Sequence, residues 1–165
     1  LIRALARLPE RVKLALPGQG ALREDCMALA KELGLEDRVL FPGQVQMAPW
    51  YGAADLAVSA SRSEGLPFNI MEAMYCGLPV VASRVTGHTD LLEGSGAGLL
   101  YPYGDWAACA GRIQDLLLDP ELREQMGQRG RQAVQPYTLD RVLPAIMAQY
   151  ETLMPLGQPA SAGTV

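Results

Sequence analysis

The sequence predicts an α/β fold in which a parallel sheet of about five strands carries helices on both faces. Three observations favour this class. Short apolar runs alternate with amphipathic stretches, Gly or Pro stands at the junctions, and 165 residues with 49% hydrophobic content suffice for one domain with a sizeable core. Because ligands of such sheets bind outside the carboxyl ends of the strands, the segments after Leu16, Phe41, Ser59 and Ala82 form the predicted rim of a site.

Each predicted strand is a short apolar run ended by a turn signal, such as Pro17-Gly18 after the first and Pro42-Gly43 after the second. The five predicted strands are residues 12–16, 38–41, 56–59, 78–82 and 98–101. A doubly wound sheet ordinarily begins on a strand, whereas residues 1–8 have the pattern of a helix closed by Pro9. We therefore expect one further strand ahead of Leu1.

Helical periodicity identifies the elements that connect and follow the strands. Residues 21–33 place Leu22, Cys26, Leu29 and Leu33 on one face, and Gly34 ends the pattern. Further helices are predicted at residues 48–53, 68–76, 105–118, 120–135 and 139–154. The domain is thus predicted to occupy residues 1–154, and residues 155–165, rich in Pro, Gly, Ser and Ala, are predicted to be a disordered tail.

Composition and charge exclude several classes of function. A net charge of −4 and scattered basic residues argue against a nucleic-acid partner, which would need clustered Lys and Arg. No apolar run approaches the roughly 18 residues that a membrane span requires. Cys26, Cys76 and Cys109 lack metal-ligand spacing and lie in apolar helical contexts, so we expect small buried side chains in a reducing cytoplasm.

The most informative stretch is residues 61–74, which run from the end of a predicted strand into a helix with Pro67 in its first turn. Free backbone N–H groups from Leu66 to Ile70, excluding Pro67, would point out of the helix start. Together with the helix dipole they predict a site for an anion such as a diphosphate. Gly65 permits close approach of the backbone to that anion.

Two carboxylates, Glu64 and Glu72, bracket the predicted anion site. A carboxylate can accept hydrogen bonds from two neighbouring hydroxyls of a sugar. Since the diphosphate would repel both acids, each should reach past it, one toward each sugar of a nucleotide sugar. A purely structural role is the alternative, because a Glu in the first turn of a helix also complements the helix dipole.

Beyond the two acids, a set of segments follows one order along the chain. Glu64 and Glu72 stand in an E-x7-E spacing, with Gly65-Leu66-Pro67 between them and a continuous run from Glu72 to Ala82. The other segments of the set are residues 17–20, 33–35 with 38–39, 41–45, 51–55 and 98–100. This set resembles the retaining family 4 glycosyltransferases, whose GT-B fold consists of two facing Rossmann-like domains. The likeness covers nearly all of residues 10–150.

The resemblance implies a role for each matching residue. Glu64 would be catalytic, in contact with the donor sugar near its reacting face, and Glu72 would bind the ribose hydroxyls of the donor nucleotide. The residues implied to line the rest of the donor site are Gly65, Leu66, Pro67, Phe68, Asn69, Gln44, Val45 and Gly18. The implied donor is a nucleotide sugar, with a UDP-sugar as the default, and no metal or other cofactor is implied.

The resemblance also implies that the chain is the C-terminal, donor-binding half of a hexosyltransferase that acts on a glycan or lipid-linked acceptor. The acceptor domain, and the basic pair that neutralises the leaving diphosphate, would precede Leu1, so the chain alone is expected to be inactive. The full-length protein would act in the cytoplasm, either free or peripherally at the membrane. A fragment of a GT-B sugar-nucleotide epimerase and a nonenzymatic nucleotide-sensing module stay open as alternatives.

Two aromatic or imidazole side chains near the predicted rim are assigned structural roles. His88, the only histidine, is predicted to be a loop residue on the rim rather than a catalytic base. Tyr51 is predicted to lie at a helix start and to pack there, as aromatic side chains commonly do.

Overall fold

A computed structural model describes residues 1–153 as strands and helices that alternate through most of the chain. The strands are β1 (Leu14–Pro17), β2 (Val39–Gly43), β3 (Ala57–Ser59), β4 (Val80–Ser83) and β5 (Gly98–Tyr101). The helices are α1 (Ile2–Leu5), α2 (Arg23–Glu32), α3 (Met47–Ala53), α4 (Phe68–Tyr75), α5 (Thr86–Leu92), α6 (Trp106–Leu118), α7 (Pro120–Ala133) and α8 (Leu139–Leu153), with a 3-10 turn at Gln135–Tyr137. Met154 and the predicted disordered tail, residues 155–165, lie outside the described residues.

Every strand pair is parallel, which confirms the predicted α/β class. The strands are divided between two sheets, one with β1 beside β2 and one with the order β3-β4-β5. Strand β4 is the centre of the larger sheet, and all four of its residues are buried. Sequence periodicity could not reveal this division, because strand pairing joins residues that are distant in the chain.

Helices cover both faces of the larger sheet, as predicted. Val81 of β4 belongs to a buried cluster that includes residues of α1, α2 and α6. Its neighbours Val80 and Ala82 belong to a second cluster with residues of α4 and α5. The alternation follows from strand geometry, since successive side chains point to opposite faces.

Two long helices begin where the sequence places a capping side chain. The Asp105 carboxylate accepts a hydrogen bond from the Ala108 N–H at 2.9 Å, and the Asp119 carboxylate accepts one from the Leu122 N–H at 2.9 Å. Pro120 then occupies the first turn of α7, where its missing N–H costs nothing. These caps explain why the predicted starts of α6 and α7 agree with the structure to within a residue.

Helix α5 lies where the sequence predicted a loop. Thr86 and Gly87 at its start are poor helix formers, so local preference does not indicate a helix here. Burial of Gly87, His88, Leu91 and Leu92 stabilises it instead.

The prediction for the cysteines is wrong in part, since Cys109 is buried but Cys76 is exposed and Cys26 only half-buried.

The Arg38 guanidinium holds α1 and the following loop against the start of β2. Its Nη2 donates to the carbonyls of Leu5, Leu8 and Pro9 at 3.1, 3.2 and 3.0 Å, and its Nε donates to Val12 O at 3.1 Å. The carbonyls of Leu5 and Pro9 also accept backbone N–H groups, from Leu8 at 3.0 Å and from Val12 at 2.9 Å. One planar fork thus donates to four backbone acceptors.

Replacing Arg38 by Met should lower the free energy of unfolding by about 2 to 3 kcal/mol, because four carbonyls lose a charge-assisted hydrogen bond and those of Leu8 and Val12 lose the donor that Arg38 gives them. Arg38→Lys should recover only part of the loss, since an ammonium lacks the fork. Urea unfolding followed by circular dichroism measures both effects. Arg141→Met, at an exposed position of α8, is the matched control. A loss for Arg38→Met no larger than for this control would contradict the assignment.

Candidate functional site

The predicted site segments follow the carboxyl ends of three strands. Gly18 follows β1, Gln44 and Val45 follow β2, and the segment with Glu64 follows β3. Pro17, the last residue of β1, lines the same cleft as Tyr51 of α3 and Glu72 of α4. The ends of all three strands therefore meet at one edge of the molecule, as the parallel fold requires.

The loop between β3 and α4, which carries Glu64, is attached at one point to the end of β4 and at another to the start of α5. The Ser83 hydroxyl, fully buried, donates to Ser61 O at 2.6 Å. The Gly87 N–H donates to Glu64 O at 3.0 Å. The backbone on both sides of Arg62 and Ser63 is thereby fixed, which holds Glu64 at a defined position.

Gly87 is required by the close packing of that loop on α5. A Cβ atom at this position would lie 2.5 Å from Gly65 O and 2.7 Å from Glu64 O. Both contacts are with backbone atoms, which cannot move aside as a flexible side chain could. The absence of a side chain at Gly87 thus permits the loop conformation that presents Glu64 and Gly65.

His88 is buried in α5, so the prediction of a loop residue on the rim is wrong. Its side chain has no exposed surface, and its Nδ1 lies 2.8 Å from Ser83 O. Its Nε2 has no hydrogen-bond partner among the described residues. With its proton on Nδ1, the imidazole donates to the residue that also anchors Ser61. His88 contributes to the support of the loop and makes no contact with the exposed rim.

The start of α4 differs in detail from the prediction. Pro67 precedes the helix instead of lying in its first turn, and its carbonyl accepts the N–H groups of Ile70 and Met71 at 3.1 and 3.0 Å. The N–H of Ile70 is therefore not free for an anion. Those of Phe68 and Asn69 are the first two of the helix, whose carbonyl partners would lie before its start.

Helix α4 is fixed by its buried face and presents its polar face to the cleft. Ile70, Met71, Ala73 and Met74 are buried, whereas Glu72 is exposed. Next to its start, the side chains of Leu66 and Phe68 are 48% and 67% exposed. Large apolar side chains exposed to solvent side by side are often part of an interaction or ligand site.

The Tyr51 hydroxyl connects α3 to α4 at the cleft. It lies 3.1 Å from Glu72 Oε2 and 3.1 Å from Asn69 O. Burial, followed by the negative charge of Glu72, raises the pKa of Tyr51 to about 12, so the phenol stays protonated and donates. The hydrogen bond fixes one oxygen of Glu72 and leaves the other available.

Tyr51 is the residue that sequence reasoning missed. It lies inside α3, not at its start, and its hydroxyl is used for more than packing. No local signal in the sequence pairs it with Glu72, which lies 21 positions further on. Only the tertiary fold, which places α3 and α4 beside the same cleft, brings the two together.

Gly18, Gln44 and Val45 form a second part of the rim. The Gly18 N–H donates to Gly43 O at 2.7 Å, and both glycines have positive φ values, +121° and +75°. These turns bring the ends of β1 and β2 together. Gln44 is exposed and Val45 half-buried. No hydrogen bond within residues 1–153 joins this part of the rim to Glu64 or Glu72.

Within the part of the chain that the structure describes, no three His, Cys, Asp or Glu side chains are grouped so that they could hold a metal ion. None of the helices there has the length and apolar character that crossing a membrane requires.

Comparison with known proteins gives concordant matches. A family model described as glycosyl transferases group 1 matches residues 1–133. N-acetyl-alpha-D-glucosaminyl L-malate synthase of Bacillus anthracis is 34% identical over 157 aligned positions, covering 93% of this chain and 40% of that protein. Sucrose-phosphate synthase from Thermosynechococcus elongatus superposes with a TM-score of 0.85 at 32% identity, covering 93% of this chain and 41% of that one.

A further solved structure is that of Anabaena HepE in complex with UDP, with a TM-score of 0.80 at 29% identity, covering 94% of this chain and 44% of that one. The present chain thus spans about 40% of the length of the relatives it matches.

Gly87→Ala should displace the loop that carries Glu64, because its Cβ would overlap two backbone oxygens. We expect a loss of about 1 to 3 kcal/mol in the free energy of unfolding, the usual cost of overpacking. Amide exchange in residues 61–66 should also accelerate. Gly111→Ala, whose Cβ would meet nothing within 4 Å, is the matched control and should leave that exchange unchanged. If the exchange of residues 61–66 is also unchanged in Gly87→Ala, the loop does not pack on Gly87 as closely as described.

Tyr51→Phe should alter the dependence of stability on alkaline pH. The pKa of Tyr51 rises from about 10 in the unfolded chain to about 12 on folding, so its contribution to stability is complete below pH 10. That contribution disappears as the pH rises from 10 to 12. The free energy of unfolding, measured by urea titration, should therefore fall more steeply over this range in the unaltered protein than in Tyr51→Phe. Tyr103→Phe, at a 53% exposed site, should keep the steep profile. Parallel profiles for Tyr51→Phe and the unaltered protein would be evidence against the raised pKa.

Proposed function

The chain belongs to the glycosyl transferases group 1 family, and we propose that it is the donor-binding domain of a retaining, family 4 glycosyltransferase. In this proposal, the full-length protein transfers a hexosyl group from a nucleotide sugar to a glycan or lipid-linked acceptor. The observation that carries it is the arrangement of Glu72, Tyr51 and the start of α4 around one cleft at the carboxyl ends of the strands.

Glu72 is suited to the ribose of the donor nucleotide. Tyr51 occupies Oε2 at 3.1 Å, and the side chain as a whole is exposed to the cleft. The carboxylate can therefore accept hydrogen bonds from the two vicinal hydroxyls of a ribose while its orientation is held by the phenol. A fixed orientation reduces the conformational entropy that binding would otherwise cost.

The start of α4 is suited to the diphosphate. The N–H groups of Phe68 and Asn69 and the positive end of the helix dipole offer hydrogen bonds and partial positive charge to an anion. Gly65 allows close approach of the backbone, and the exposed side chains of Leu66 and Phe68 would cover the apolar faces of the ligand. In the proposed site, Gln44 and Val45 lie against the base, and Gly18 lies in the turn that faces the donor.

Glu64 is proposed as the catalytic residue, in contact with the donor sugar near its reacting carbon. Its loop is fixed through Ser83 and Gly87, so the backbone that carries the carboxylate is placed before the donor arrives. A preorganised group needs no rearrangement when charge develops in the transition state. The leaving group is the nucleoside diphosphate, and we propose that the anomeric configuration is retained.

A UDP-sugar is the proposed donor, supported by the related Anabaena structures, which hold UDP, glucose and UDP-glucose. We propose that no metal is required. The acceptor domain would lie in the portion of the full-length protein outside this chain, consistent with the 40% coverage of relatives. That protein would act in the cytoplasm, free or at the membrane surface, and this chain alone would not turn over substrate.

The decisive experiment is calorimetric titration of the full-length protein with UDP-glucose and, for comparison, the GDP and ADP sugars. Glu72→Gln should weaken UDP binding at least tenfold, about 1.4 kcal/mol, because an amide accepts hydroxyl hydrogen bonds less strongly than a carboxylate. The free energy of unfolding of Glu72→Gln should differ little from that of the unaltered protein, since the side chain is exposed. Glu36→Gln, exposed beside the opposite ends of the strands, is the matched control.

If Glu72→Gln binds UDP with unchanged affinity, Glu72 does not contact the nucleotide and is only a charged residue on the helix surface. If none of the nucleotides binds at millimolar concentration, the donor site itself is excluded. Binding without sugar transfer by the full-length protein would favour the sensing module.

A further inference from the structure

A buried polar residue ends each of the three strands in the larger sheet. Strand β3 ends at Ser59, β4 at Ser83 and β5 at Tyr101. The Tyr101 hydroxyl donates to Ser59 O at 3.0 Å, which joins the two outer strands past the end of β4. Burial raises the pKa of Tyr101, so the phenol keeps the proton that it donates. The ends of the outer strands are thus connected by a side chain as well as through the sheet.

Ser61 lies two residues beyond β3 and is bonded to the ends of two strands. Its N–H donates to Ser59 Oγ at 3.4 Å, and its carbonyl accepts from Ser83 Oγ at 2.6 Å. Its hydroxyl lies 3.3 Å from Ser59 Oγ. Every polar group of Ser61 therefore has a partner on a strand end, and the backbone that leads to Glu64 starts from a fixed residue.

His88 is the fully buried residue that contacts Ser83. With its proton on Nδ1 it donates to Ser83 O at 2.8 Å, and this carbonyl also accepts the Val85 N–H at 2.9 Å. The imidazole Nε2 has no hydrogen-bond partner among the described residues, a cost in stability that an apolar side chain would avoid. Hydrogen-bond satisfaction of the core therefore does not explain a histidine at this position. We call the connected residues the strand-end network: Tyr101, Ser59, Ser61, Ser83 and His88.

The contacts that hold Glu64 are separate from those that orient Glu72. The N–H of Gly87, at the start of α5, donates to Glu64 O at 3.0 Å, whereas the Tyr51 hydroxyl of α3 donates to Glu72. Within residues 1–153, no hydrogen bond links the strand-end network to Tyr51, Asn69 or Glu72. A change in the network can therefore displace the proposed catalytic loop and leave the proposed ribose site unchanged.

On the basis of the proposed function, we infer that His88 and Tyr101 are positioning residues for sugar transfer, which act through the strand-end network on the place of Glu64. His88 acts through Ser83, and Tyr101 acts through Ser59. The two residues govern the rate of transfer and not the affinity for the nucleotide. A misplacement of about 1 Å at a reacting centre can slow a reaction about 100-fold, so the loss of one supporting hydrogen bond is enough to be measured.

Two substitutions of His88 separate the hydrogen bond from the packing in the full-length protein. His88→Leu removes the donor and fills the space with an apolar side chain, whereas His88→Asn keeps an amide nitrogen near the place of Nδ1 and leaves a small cavity. The reaction to follow is release of UDP from UDP-glucose, with water in place of the acceptor. We expect kcat to fall at least about tenfold in His88→Leu at unchanged calorimetric affinity for UDP, and to recover in His88→Asn. The free energy of unfolding should show the reverse order, because only His88→Asn leaves a cavity.

Three results of this comparison overturn the proposal. If kcat is lower in His88→Asn than in His88→Leu, in step with stability, the histidine only stabilises the fold. Unchanged kcat in His88→Leu is the second such result, and a loss of UDP affinity as large as the loss of kcat is the third. If the unaltered protein itself binds no UDP, it is the proposed function that fails, so the two failures are distinguishable.

A second variant tests the same network from β5. Tyr101→Phe removes only the bridging hydroxyl and should lower kcat at unchanged affinity for UDP. Tyr103→Phe, at an exposed position two residues further on, is the matched control and should keep both. Equal kcat in Tyr101→Phe and in this control overturns the role of Tyr101. If His88→Leu does not fold, Tyr101→Phe decides in its place.

Amide hydrogen exchange tests the anchoring without any nucleotide. The Gly87 N–H, whose acceptor is Glu64 O, should exchange faster in His88→Leu and in Tyr101→Phe than in the unaltered protein. In His88→Asn its exchange should stay close to that of the unaltered protein. Equal exchange of this group in all of these proteins overturns the proposal, because the network then does not hold the loop.

Discussion

The pairing of β4 with both of its neighbours is the interaction on which the rest of the structure depends. It buries β4 completely and fixes the point where the chain leaves the sheet. The two residues that hold the loop of Glu64, Ser83 and Gly87, lie at that point or just after it. The end of β4 and the start of α5 thus support this loop through hydrogen bonds of 2.6 and 3.0 Å, and His88 contacts Ser83 from within the core. The buried strand β4 therefore provides the rigid support for the surface loop that carries Glu64.

The contact between Tyr51 and Glu72 has a different basis, because it joins elements that follow different sheets. Helix α3 follows β2 of the smaller sheet, and α4 follows β3 of the larger one. Their hydrogen bond is a polar contact beside the cleft that Pro17, Tyr51 and Glu72 line, so its geometry depends on the spacing of the two sheets.

The sequence predicts the elements well where a local signal exists. The bounds of β5 agree fully, and α6 and α7 begin beside Asp105 and Asp119, whose side chains cap them. Features that depend on tertiary contacts could not be predicted. Helix α5 is stabilised by burial and not by the helix propensity of its residues. For this reason His88, which was predicted to lie on the rim, lies in the core. The use of Tyr51 likewise follows from topology alone. For the site, the sequence indicated the segment with Glu64 and Glu72 but not the groups that hold it.

The electrostatics of the rim bear on the proposed diphosphate site. A diphosphate at the start of α4 would lie between two carboxylates, and the helix dipole offers it only about half an elementary charge. Tyr51 reduces the repulsion by engaging one oxygen of Glu72, and Glu64 belongs to a separately anchored loop. Neither contact supplies positive charge. A diphosphate at the proposed site would therefore need a cation in addition to the groups that these two contacts supply.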